Sequence, residues 1–183
     1  ETRVTDIGGV AETLTVDVAA GVTRFGGNDI QLSIAGAITL TGDFVIEKST
    51  AGPDGIVGTA DDVNELLLAA TDIDLFVGAD DESFGVRVED AELIALVRDD
   101  GYAVQAGGNA ELVGLPDVSL SGEFQFETNT TPADIVREIS VGDSTALIDV
   151  KTGVTRFSGE DVFFEVFGQR LSGDFTLEKS GVA

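Results

Sequence analysis

"LTGDFVIEKS" at residues 40–49 returns as "LSGDFTLEKS" at residues 171–180, with seven of ten positions identical. Both copies alternate apolar and polar residues with a period of two, the pattern of a half-buried β-strand. Leu40, Gly42, Phe44 and Ile46 fall on one face, expected to be the buried one, and Thr41, Asp43, Val45 and Glu47 on the other. A glycine inside a strand removes side-chain packing, so Gly42 implies a bulge or an aromatic ring lying over it.

Working backwards from this stretch, "GVTRF" occurs at 21–25 and again at 153–157, and "ETLTVDVAAGVTRF" (12–25) aligns with "STALIDVKTGVTRF" (144–157). Two copies of one segment, 1–49 and 133–180, are therefore present. Residues 1–132 read as one full repeat unit and 133–183 as the first part of a second. A weaker echo, "LSGEFQFETN" at 120–129, suggests that the unit is itself built from related strand pairs.

Twenty-three glycines and three prolines interrupt the alternating runs at short intervals, which favours hairpins in an all-β chain. Residues 62–70 and 89–100 also have helix-compatible spacing, but the surrounding rhythm is that of strands. The expected architecture is an elongated repeat-type stack of β-hairpins, solenoid-like or an extended meander, with a two-sheet β-sandwich as the alternative.

Thirty-four acidic residues against ten basic ones give a formal net charge of −24. Such a chain repels nucleic acid and anionic membranes and attracts cations. No apolar run reaches the roughly 20 residues of a membrane-spanning helix. The absence of Cys and His removes thiol chemistry and the usual ligands of zinc, leaving a hard cation held by oxygen. Acyl transfer would have to rest on a Ser–Lys pair, and two of the three lysines, Lys48 and Lys179, occupy the same repeat position. Carboxylate pairs suited to glycoside hydrolysis will arise by chance among so many acids. An enzyme is not expected.

One stretch carries a mechanism of its own. "GPDGIVGTADD" at 52–62 combines three glycines and a proline with Asp54, Asp61 and Asp62. Calcium takes six to eight oxygens, which such a loop supplies from carboxylates and from carbonyls near Ile56 and Gly58. A solvated turn between strands is the plain alternative. "NTT" at 129–131 fits an N-glycosylation acceptor, a pattern common by chance.

The run formed by Asp54, Gly55, Gly58, Thr59, Asp61 and Asp62 resembles calcium loops of large secreted bacterial proteins. "GNAELVGLPDVSLSGEF" and "GVTRFSGEDV…LSGDFTLEKS" resemble tandem repeats of very long, acidic bacterial surface proteins of the adhesin type. The resemblance implies an extracellular, cell-surface location, calcium as cofactor, and a structural or adhesive role. Its partners would be neighbouring repeats or identical subunits joined end to end. The lack of an initiating Met and the missing second "GPDG" loop suggest a piece of a longer or processed chain.

Between the copies, Gln31 and Ala35 become Phe163 and Phe167, placing large apolar groups on both sides of one strand. These two residues are candidate interface positions. A carbohydrate- or protein-binding module is the alternative function, although one Tyr and no Trp leave little for stacking on sugars.

Overall fold

The computed structural model describes residues 2–7, 10–15, 21–34, 38–51, 58–59, 62–79 and 81–180. Every regular element among them is a strand. Both stretches with helical spacing are strands as well: 62–70 lies largely within the strand Val63–Gly78 and 89–100 largely within the strand Gly85–Arg98.

A short hairpin, β1 (Thr2–Ile7) and β2 (Val10–Thr15), opens the chain. There follow β3 (Val22–Ile34), β4 (Ile38–Ala51), β5 (Val63–Gly78), β6 (Gly85–Arg98), β7 (Gly101–Val113) and β8 (Val118–Asn129). A second short hairpin, β9 (Ile135–Val141) and β10 (Ser144–Val150), precedes β11 (Val154–Val166) and β12 (Gln169–Ser180). The eight long strands form one antiparallel sheet in the order β12-β11-β8-β7-β6-β5-β4-β3. This is the extended meander. The 16-residue excursion of β9 and β10 leaves no gap, because β11 pairs directly with β8.

That excursion builds the core. Ile135, Ile139, Val141, Ala146, Ile148 and Val150 point at the sheet and meet Val45, Leu67, Ala69, Ile94, Leu96 and Ala103. The sheet side covered by the hairpin is thus the one carrying Val45, which is 2% exposed, whereas Ile46 on the opposite side is 44% exposed. The expected burial of the Leu40, Gly42, Phe44 and Ile46 face is corrected by this. Alternation located the two faces, but both contain apolar residues, and the hairpin selects which one is covered.

The recurring Gly-Asp pair has a mechanical explanation. β3 and β11 each carry a bulge, with register shifts at Gly27/Ile30 and Gly159/Val162. Asp29 and Asp161 sit in these bulges at φ of 51° and 49°. Their backbone N–H groups donate to Oδ1 of Asp43 and of Asp174, both at 2.9 Å. The glycine pairs with the residue just past the bulge (Gly42 with Ile30, Gly173 with Val162) and the aspartate caps the bulge. In the weaker echo, Gly122 has φ of +157°, and a Cβ there would lie 3.0 Å from Cα of Val162. Close approach of the bulged strand excludes a side chain at this position.

Candidate assembly surfaces

Antiparallel partners share a face, so the register assigns each side chain to one side of the sheet. On the hairpin side, one row runs Gly26, Val45, Ala69, Ile94, Gln105, Glu127, Arg156, Glu178. Its apolar members lie under the hairpin and its charged members lie beyond it. On the other side, the neighbouring row runs Gly27, Phe44, Ala70, Leu93, Ala106, Phe126, Phe157, Leu177. Among the described residues no element packs against this second face. Phe25, Leu171 and Leu177 are each about two-thirds exposed on it.

Arginines on the hairpin side bind the strands together. Arg156 stands between two carboxylates, 2.6 Å from Glu127 on β8 and 2.9 Å from Glu178 on β12. Arg24, at the same repeat position on β3, has Glu47 of β4 at 3.6 Å, and its other flank is the open edge of the sheet. It also donates to the carbonyl of Ser140 in the hairpin. Arg137 descends from β9 onto the sheet, where it pairs with Glu65 and, at 3.0 Å, with Glu47; Arg98 holds the same Glu65 at 2.8 Å. Gln105 completes the attachment, donating to the carbonyl of Leu147 and accepting from the N–H of Asp149.

The chain leaves the sheet at Asn129, a fully buried residue. Its amide donates to the carbonyls of Ala133 and Val150, and its oxygen accepts from the N–H and hydroxyl of Thr131. This corrects the reading of Asn129 as a glycan acceptor, since the side-chain nitrogen is enclosed and already bonded twice. The structural role of Asn129 and the whole part played by Arg137 were not legible in the sequence. The available signal for Arg137 was its place in the alternating run Ile135, Arg137, Ile139, Val141, which puts a charge on an inner face and demands an acidic partner.

Of the loop candidates, Asp54, Ile56 and Asp61 lie outside the described residues. Gly58 (φ +94°) and Asp62 are described: the N–H of Gly58 donates to Oδ2 of Asp62 at 2.6 Å, and the hydroxyl of Thr59 lies 3.4 Å from Oδ1. Among the described residues, no group of three or more acidic side chains is arranged to hold a metal ion. The two interface candidates are separated. Phe163 is half-buried on the hairpin side, opposite Ser121 and Ser172, whereas Phe167 stands 77% exposed in the turn between β11 and β12. At φ of 48°, Phe167 does not continue the strand face expected of it.

Glu92 is half-buried, and desolvation, reinforced by the charge of Asp72, raises its pKa. A carboxyl with a raised folded pKa contributes stability while protonated and loses it as pH climbs from the unfolded pKa through the folded one. At neutral pH the charge is therefore a burden. Glu92→Gln is expected to raise the melting temperature at pH 7, by an amount worth less than about 1 kcal/mol after solvent screening, with the gain vanishing near pH 4.

Compared with protein-family models, with curated proteins and with solved structures, the chain matches none of them. The geometry therefore stands as the guide to function.

Proposed function

We propose that this chain is a structural and adhesive repeat segment of an extracellular bacterial surface protein or fibre. Residues 1–132 form one unit, and the next opens at residue 133. The pairing of β8 with β11 carries this reading. It runs from Thr155 opposite Thr128 to Val166 opposite Val118, so one sheet crosses the boundary between copies without interruption. Strands β3 and β11 are both 13 residues long and share the bulge, the capping aspartate and the arginine. A chain carrying further copies extends the same sheet by six strands per unit, with a hairpin laid over each unit from the next. Such a fibre grows through nearest-neighbour contacts, as repeat proteins do.

Calcium belongs to the proposal through the 52–62 loop. The loop's described part includes the hydrogen bond from the N–H of Gly58 to Asp62, and glycine-rich loops that carry several carboxylates are the kind that supply oxygens to calcium. The net charge of −24 gives a divalent cation a general electrostatic advantage at this surface.

The test is a tandem chain in which residues 1–132 are placed twice ahead of 133–183. Small-angle scattering is expected to show the sheet lengthened by roughly 29 Å, six strand spacings, and melting to remain a single, higher transition. Two independent transitions, or no lengthening along one axis, would overturn the reading. Calcium at millimolar concentration is expected to raise the melting temperature by several degrees over chelator, an effect lost in Asp61→Asn/Asp62→Asn. No shift would remove calcium from the proposal and leave the sheet argument standing.

A further inference from the structure

We propose that two copies of this chain pack face to face through the uncovered apolar side of the eight-stranded sheet, giving a two-layered sandwich. The acidic residues of the paired register are all segregated away from this side. Phe25, Ile46, Leu68, Ala95 and Val104 form one row on that side, continued by Thr128, Thr155 and Lys179, and Leu75, Val88 and Ala110 lie across it on the far side of the bulges. No Asp or Glu of the paired register stands on it, although the chain carries 34 acids. The only charges there are Lys48 and Lys179, both close to strand ends.

Three rings add to the face. Phe157 stacks on Phe124 with centroids 6.1 Å apart, and Phe175 lies 5.5 Å from Phe157. A mainly apolar hollow of about 410 Å³ beside them is lined by Ile73, Leu93, Ala106, Phe124 and Phe126, and Glu92 also borders it.

Area argues for an obligate contact. Eight strands spaced ~4.8 Å apart, each ~12 residues long at ~3.3 Å, present roughly 1,500 Å² on each copy. Twist reduces the overlap of stacked sheets, yet half of that area from each partner totals roughly 1,500 Å², within the ~1,200–2,000 Å² of a standard stable interface. A soluble monomer rarely leaves so large an apolar patch open.

Charge argues for a second copy as the occupant. The hairpin side is acidic and offers no complement to an apolar face. An anionic bilayer is disfavoured by a chain of net charge −24. The apolar face of another copy matches in both size and character, and it leaves both acidic sides in water.

Sedimentation equilibrium from roughly 1 to 100 µM tests this, with Phe126→Glu/Leu177→Glu as the main variant and Leu171→Lys as the second. All three sites are exposed, so the variants should fold, which circular dichroism checks. Dimers are expected for the wild-type chain, with association weakened about 100-fold or more in the double variant and measurably in the second. A monomer throughout the range would overturn the proposal. So would a dimer indifferent to both variants, which would point to the sheet edges, and so would a monomer that floats with neutral phosphatidylcholine vesicles. Because a single 183-residue chain is used, failure here does not touch the tandem-chain result.

Discussion

Arg137→Ala is expected to destabilise the chain by about 2–4 kcal/mol and to release the β9–β10 hairpin from the sheet. The argument begins with the two carboxylates beneath it. The side chains of Glu47 and Glu65 are only 14% and 10% exposed, and Arg137 is their shared partner from above. Removing one member of a desolvated cluster leaves the others charged and under-compensated, which costs far more than the net worth of the pair. Arg24 and Arg98 remain at the margins of the cluster and soften the loss. Arg137 is itself about one-third exposed, so solvent screens part of its contribution and the lower half of the range is favoured.

Urea unfolding with Arg137→Met as a companion separates charge from packing. Methionine keeps most of the stem and discards the guanidinium, so a loss close to that of alanine assigns the effect to the ion cluster. Recovery by methionine would show that packing of the stem was responsible. Hydrogen exchange in Ile135–Val150 should accelerate before global unfolding in the alanine variant, because the hairpin is then held by its apolar face and by the hydrogen bonds of Gln105 and Arg24 alone among its main attachments.

The fold was legible in the sequence to the extent that local patterns determine it. Alternation placed the strands, and the repeated ten-residue stretch identified β4 and β12 as equivalent. Helical spacing in "NELLLAA" was outweighed by its neighbours: Glu65, Leu67 and Ala69 face the hairpin while Leu66 and Leu68 face away. A strand that is apolar on both sides loses the period-two signature, which is why this stretch was ambiguous. Which face is buried was not legible at all. That depends on β9–β10 returning over strands 40–90 residues earlier in the chain, and no local pattern encodes the side on which it lands.

The candidate sites divide along similar lines. Gly42 was expected to mark a bulge, and the bulge is present, lying on the partner strand rather than on β4 itself. The sequence pattern puts Phe163 and Phe167 in one strand. A tight turn at Phe167 and Gly168, both at positive φ, ends the strand one residue earlier. Asn129 carried a motif that pointed outward, to a glycan, while its burial follows from contacts with Ala133 and Val150 on either arm of the excursion.

Asn129→Ala is accordingly expected to cost about 3 kcal/mol, the largest effect anticipated for an uncharged polar side chain here. Alanine leaves the carbonyl of Val150 and the N–H of Thr131 without their partners in a buried place, while the carbonyl of Ala133 keeps the hydroxyl of Thr131. The backbone of Asn129 also accepts from the N–H of Gly153, so this one residue ties the departure of the chain from β8 to its return into β11. Asn129→Asp should be worse at neutral pH. It keeps acceptors for Thr131 but turns the two donor bonds into repulsion between a carboxylate and two carbonyl oxygens. Lowering the pH protonates that carboxylate and should recover part of the loss, since the group is held out of water and its pKa rises.

Thermal melting of both variants measures the cost, and hydrogen exchange locates it. If Asn129 fixes how β11 docks on β8, protection falls first at Val154–Val166 and later at β4–β6. Uniform loss across all eight strands would mean that Asn129 supports overall stability alone and that the junction between copies is set elsewhere, by Arg156 between Glu127 and Glu178.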